Sequence, residues 1–431
     1  MPKKYQHDAP RPVRGITPNV VRWVTPNAIA LVVIAAVAAL VLLVQQPWAS
    51  APPAKTLASG SVSGTLAAQI RNLPSASDLD EFVAAAGDSD SARRWATTAW
   101  ENLELLGATD LSLRFISGGD PGVHSGGAVE AETEVSWRPG SGSGLEATQT
   151  ESATVTLIFD KVGDKAYAVR EAKQSRGPLP VWLVGALTID EVDGARVIAI
   201  DGGNDAATLA TYAARAYKDV NTVVPGASST LVIIAPRNER QAAALLGQPV
   251  DTITQLAAVT TTVDGSSEPK AATAVVLNPA VFSTMDARAA QVVVTHEATH
   301  QVTGATAKGL ENWIAEGFAD FVALKGDSAP LSVSAGQILA QVKKSGAPKA
   351  LPTRDDFDSA EHGLGATYEA AWMIFRMLGE RFDDATIVDF YRETLDGAPV
   401  AESVQRFFGL TLDELTADWR DYLLKSVSTS S

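Results

Sequence analysis

Between Ala28 and Val44 the chain reads AIALVVIAAVAALVLLV, 17 residues without one polar side chain. As a helix this run reaches roughly 26 Å at about 1.5 Å per residue, marginally enough to cross a hydrocarbon core of about 30 Å. Trp23 and Trp48 flank it at interfacial positions, and Pro26 and Pro47 bracket it. The 27 residues before it carry Lys3, Lys4, Arg11, Arg14 and Arg22 against Asp8 alone, a net of +4. The whole chain is −15, so the residues beyond the run carry −19. By the positive-inside rule the N-terminus is cytoplasmic and everything after residue 48 lies outside. A cleaved leader ending at Ala49-Ser50-Ala51 is the competing reading; the long basic lead-in and Pro52 count against it.

Five segments follow from this start. Residues 1–27 are a cytoplasmic basic segment, 28–44 a transmembrane helix of the plasma membrane, and 45–60 a small, Pro-rich linker. Residues 61–203 form an α+β module: a helix over 78–106, then strand-like runs at 111–116, 129–137, 153–159, 166–171, 181–187 and 196–200. Its order, a helix and then paired strands, is similar in pattern to the nuclear-transport-factor-2-like (NTF2-like) type. In residues 204–431 helices are expected over 205–220 and 238–246, strands over 230–235 and 272–277, and a mainly helical region from 284 onward. The fold class expected is therefore α+β throughout the ectodomain.

Composition narrows the chemistry. An acidic ectodomain lacks the basic face that nucleic acid requires. The chain has no cysteine, so any metal site must be built from His, Asp and Glu. A disulfide-free ectodomain must hold together by core packing alone, which 431 residues permit.

Residues 292–304 read VVVTHEATHQVTG. His296 and His300 are four apart, so on a helix they share one face and can grip one metal ion. Glu297 lies about 100° further round, placed to hold a water rather than to ligate. Downstream, ENWIAEGFAD puts Glu316 and Asp320 on one face of a second helix. Glu316 can supply a third ligand, and Asp320 can accept the free N–H of His296 or His300. The apolar neighbours Trp313, Ile314, Phe318 and Phe321 argue against a merely solvated acidic face.

His296-Glu297-x-x-His300 with Trp313-x-x-Glu316-Gly317-x-Ala319 resembles the gluzincin metallopeptidases, most closely the bacterial peptidase-MA-like group. Tyr368-Glu369-Ala370-Ala371-Trp372 and Leu412-x-x-Leu415-x-x-Asp418-Trp419-Arg420 are similar to that group's C-terminal helices, and the likeness spans roughly 205–425. The resemblance implies a zinc ion held by His296, His300 and Glu316, with Glu297 as general base in the hydrolysis of peptide bonds. It further implies a Tyr or His donor to the oxyanion, Tyr368 or else His362, and a strand, 272–277, on which a peptide or protein substrate is laid. A membrane-anchored zinc metallopeptidase is the function expected. The alternative is a catalytically silent binding or scaffold protein of the cell envelope, a reading to which Glu297 would be superfluous.

Overall fold

The computed structural model describes residues 61–118, 128–140, 143–145, 149–203, 206–226, 229–268, 270–305, 309–358 and 364–429. The apolar run 28–44 and the candidate donor His362 lie outside the described residues, as do His7 and His124. Among the described residues no helix is long and apolar enough to cross a membrane.

The chain is mixed α+β with two sheets. It begins with helices α1 (Val62–Asn72), α2 (Leu79–Ala86) and α3 (Asp90–Leu105). Each starts where a side chain closes the first turn: Ser61 accepts from the Gly64 amide, Asp78 from Glu81 and Ser89 from Ala92. The single helix expected over 78–106 is thus two. The break is at Gly87, whose φ of +110° no helix tolerates and where a Cβ would come 2.5 Å from the Tyr167 carbonyl.

Four antiparallel strands follow in the order β1 (Thr109–Gly118), β2 (Val129–Arg138), β3 (Glu151–Lys161) and β4 (Tyr167–Arg176). In β2 every second residue is buried, from Val129 to Trp137, as expected for a sheet with one face on a core.

The segment 181–187, expected as a strand, contains instead a 3₁₀ turn, Val181–Leu183. Pro178 and Pro180 precede it; both lack the N–H that a sheet ladder needs, and both fix φ. Asn102, buried in α3, pins this segment with three hydrogen bonds. Its Nδ2 donates to the Trp182 and Gly185 carbonyls at 3.0 and 2.8 Å, and its Oδ1 accepts from the Leu187 amide at 3.0 Å.

The second sheet begins earlier than the sequence boundary at 203, with the hairpin β5 (Leu187–Val192) and β6 (Ala195–Ile200). After β6 come α4 (Ala206–Val223), β7 (Leu231–Ala235), α5 (Glu239–Leu246), β8 (Ala258–Thr262) and β9 (Thr273–Leu277), in the spatial order β5-β6-β7-β9-β8. Strands β6, β7 and β9 are parallel neighbours; the outer pairs are antiparallel. Both faces of its inner strands are buried, which explains runs such as LVIIA. Val197, Ala199, Ile233, Val275 and Leu277 face α4 and the helical half; Ile198, Ile200, Val232, Ile234 and Val276 face α5 and the first module. One sheet therefore supplies a wall to both cores.

The remainder is helical: α6 (Pro279–Phe282), α7 (Ala287–Thr303), α8 (Asn312–Leu324), α9 (Leu331–Ser334), α10 (Gly336–Ser345), α11 (Arg354–Asp358), α12 (Leu364–Gly379), α13 (Asp384–Leu395), α14 (Val400–Phe408) and α15 (Leu412–Thr429). Replacing Asn102 with Ala should lower the free energy of unfolding by about 3 kcal/mol, because two carbonyls and an amide lose their partner in the interior. Urea denaturation of the two proteins checks this.

Candidate metal site

Helix α7 starts at Asp286, whose side chain accepts from the Ala289 amide, and stops at Gly304, left-handed at φ +72°. From Val293 to Val302 every side chain is buried, including Thr295, His296, Glu297, Thr299, His300 and Gln301. A helix sunk this deep cannot leave its polar groups to water, so each must find a partner in the fold.

Two faces of α7 do this in different directions. Glu297 and Gln301, one turn apart, meet the sheet. The Glu297 Oε2 atom accepts from the Thr260 amide at 2.9 Å and from the Thr260 hydroxyl at 2.6 Å. Gln301 accepts from the Val232 amide at 3.0 Å and donates to the Thr273 carbonyl at 2.8 Å, bridging β7 and β9 where their own pairing is sparse.

His296 and His300 face α8, where Glu316 and Asp320 stand one turn apart. His296 Nδ1 donates to Asp320 Oδ1 at 2.8 Å, which turns its Nε2 toward Glu316. Of the two histidines the sequence offered to Asp320, the structure selects His296. The two Nε2 atoms and Glu316 Oε2 then form a triangle with sides of 3.0, 3.2 and 3.3 Å. These three residues could hold a metal ion, and each is no more than 2% exposed.

Gly317 lets α8 pack closely on a helix of the C-terminal half. It lies against α12, where a Cβ would come 2.6 Å from the Ala371 carbonyl. The glycine after Glu316 is thus a packing requirement.

The electrostatics follow from burial. Burial opposes charge on His296, but the Asp320 and Glu316 carboxylates outweigh it and hold its pKa well above the usual imidazole value. Burial pushes the Glu316 carboxyl up, whereas His300 and His296 together bring it down to about 2. Asp320 is raised, burial exceeding the pull of His296. Two acids and two imidazoles within this volume call for a cation, either protons on the rings or a metal between them.

Tyr368 is buried on α12 with its ring edge-on to Phe357, centroids 5.0 Å apart. The strand 272–277, expected to align a substrate, is β9, and both its edges are taken by β7 and β8. The outer strand is β8, to which the sequence reading assigned no structure.

Two further groups escaped the sequence reading. Tyr391 of α13 stacks on Phe318 at 3.8 Å, and its hydroxyl meets the Thr303 hydroxyl at 2.9 Å, tying α8 to the end of α7. Glu369, beside Tyr368, is 2% exposed and accepts from the Ile338 amide at 2.7 Å. Burial pushes its carboxyl up to about 8, and the Asp320 charge acts in the same direction.

Two outcomes are expected. Asp320→Asn should weaken metal affinity about 10- to 100-fold with the fold intact, read by competition with a chromophoric chelator. For Glu369, folding raises the pKa from 4.5 to about 8, so its contribution to stability falls as pH rises across that window. Glu369→Gln should remove this slope, making the variant more stable relative to the parent at pH 9 than at pH 5 in parallel urea titrations. A scan against protein-family models and a search of curated proteins each found no match, and the site stands on its own chemistry.

Proposed function

We propose that this chain is a membrane-anchored zinc metallopeptidase, tethered by the apolar run 28–44 with its peptidase domain outside the cytoplasm. The observation that carries the reading is the triangle of His296 Nε2, His300 Nε2 and Glu316 Oε2, with sides of 3.0, 3.2 and 3.3 Å. Ligands about 2.0–2.1 Å from a tetrahedral zinc ion are separated by about 3.3 Å, so the donors fit the ion in spacing as well as in chemistry.

Zinc in this position would act as a Lewis acid, activating a water and polarising a peptide carbonyl. The chain's own residues supply the rest. Asp320 fixes the His296 ring so that Nε2 faces inward. Glu297 accepts the proton of the attacking water and hands it to the leaving nitrogen. Its Oε2 is committed to Thr260, which leaves Oε1 for this exchange. Tyr368, edge-on to Phe357 on α12, is the candidate donor to the oxyanion.

A second reading has one observation in its favour. His296, His300 and Glu316 are 1–2% exposed, the burial of a metal site that stabilises the fold of a binding or scaffold protein. Glu297 separates the two readings, since it is not a ligand and a purely structural site does not need it.

Elemental mass spectrometry of the detergent-solubilised protein should find about one zinc per chain, lost in His296→Ala. Glu297→Gln should keep the zinc yet lower cleavage of a mixed peptide library at least about 10³-fold. Zinc in both proteins with no cleavage by the parent would favour the structural site. No zinc in the parent, even when it is supplied, would overturn both readings.

A further inference from the structure

The contact between Glu297 and β8 joins a titratable side chain on the metal-site helix to the outer edge of the sheet. Along the β8–β9 ladder the Asn278 amide donates to Ala257 and the Val263 amide to Ala272, at 2.8 and 2.9 Å. Hydrogen-bonded and non-hydrogen-bonded pairs alternate in an antiparallel ladder. Between those two anchors Val259 and Thr261 therefore turn their backbone groups toward β9, while Ala258, Thr260 and Thr262 turn theirs outward. Thr260 is the residue whose outward N–H finds a carboxylate. Its hydroxyl lies 2.6 Å from the same Oε2 and 3.0 Å from the Glu297 carbonyl oxygen, so two contacts hold the side chain and a third meets the backbone of the same residue. Thr260 is 3% exposed and Glu297 2%, so water does not compete for these bonds.

We infer that Thr260 is the positioning residue for Glu297: its amide and hydroxyl fix the rotamer of the carboxylate through Oε2 and leave Oε1 for the reacting water. This rests on the metallopeptidase reading above. A glutamate has three rotatable side-chain bonds, and a base left free among those rotamers would spend most of its time away from the reacting water. Two donors on one oxygen, one of them from the backbone of a packed strand, remove that freedom. Thr260 itself touches neither substrate nor metal in this scheme.

The same N–H decides how β8 can receive a peptide. A substrate strand laid along β8 would pair with its outward backbone groups. At Thr260 the outward N–H is already committed to Glu297, and the Thr262 carbonyl accepts from the Gly265 amide at 3.2 Å, so neither is open to main-chain pairing.

The test uses the zinc-loaded full chain and acetohydroxamic acid, a probe that brings a zinc-binding group and an acidic proton to the place where Glu297 must act. Binding is measured by calorimetry, with zinc content and near-ultraviolet circular dichroism recorded for every protein. Thr260→Val removes the hydroxyl at nearly constant shape and should weaken hydroxamate binding about tenfold, with zinc content unchanged. Thr260→Ser restores the donor and should bind within about twofold of the parent. If the valine variant fails to fold, Thr260→Ala carries the same expectation. A folded, zinc-loaded valine or alanine variant that binds as tightly as the parent would overturn the inference alone. A parent that holds no zinc would overturn the metallopeptidase reading, and this inference with it.

Discussion

Glu316 and Asp320 enter the interior of the protein with two imidazoles to meet them. Two carboxylates out of water are costly, and no other cation is described as bonded to either. The depth of α7, the close approach of α8 and the glycine at 317 make sense only if the four groups arrive together. Removing any one leaves charge in the interior without an answer. The arrangement therefore constrains its surroundings: α8 must lie against α12 closely enough to exclude a Cβ at Gly317, and α13 must reach over to bond Thr303.

The second dependence runs through the opposite side of α7. A helix beneath a sheet ordinarily meets it with apolar side chains, yet Glu297 and Gln301 here form hydrogen bonds to the backbone of β7, β8 and β9. Gln301 stands in where the β7–β9 ladder has few bonds of its own, and Glu297 satisfies an amide on the outer strand. The sheet is thus fixed to the same helix that carries the histidines. A shift of that helix by one residue would break both sets of contacts at once. The first module enters this chain of support from the far face of the sheet, through Ile198, Ile200, Val232, Ile234 and Val276.

How much of this could be read from residue order depends on the range of each interaction. His296, His300 and Glu297 lie within one turn and a half of one helix, and Glu316 and Asp320 within one turn of the next. Helical periodicity fixes such groups without knowledge of the fold. The pairing of Asp320 with His296 rather than His300 depends on how the two helices cross, and no local pattern encodes it. Thr260 lies 37 residues before its partner, in AVTTT, a run too short for alternation to declare it a strand. The run 196–200, expected among the strands of the first module, lies in the second sheet as β6 for a related reason. Strand character is local, whereas the choice of neighbour is made by packing. Where a local signal did exist and was missed, as with Gly87 inside an expected helix or the prolines before Val181, it was a breaker whose effect is positional.

Burial of the site sets a tension that the fold must resolve. Exclusion of water strengthens every ionic contact among His296, Asp320 and Glu316, and it keeps the Glu297 carboxylate where Thr260 holds it. The same exclusion bars a peptide from residues that are 1–2% exposed. The walls of the site differ in how readily they could part. The helices α8 and α12 are joined through an extensive apolar core that includes Phe318, Trp372 and Phe375, and their separation would disrupt the ligand set itself. Strand β8 is held to the sheet on one edge only, and on its outer edge the Thr260 amide is bonded to Glu297 and the Thr262 carbonyl to the Gly265 amide.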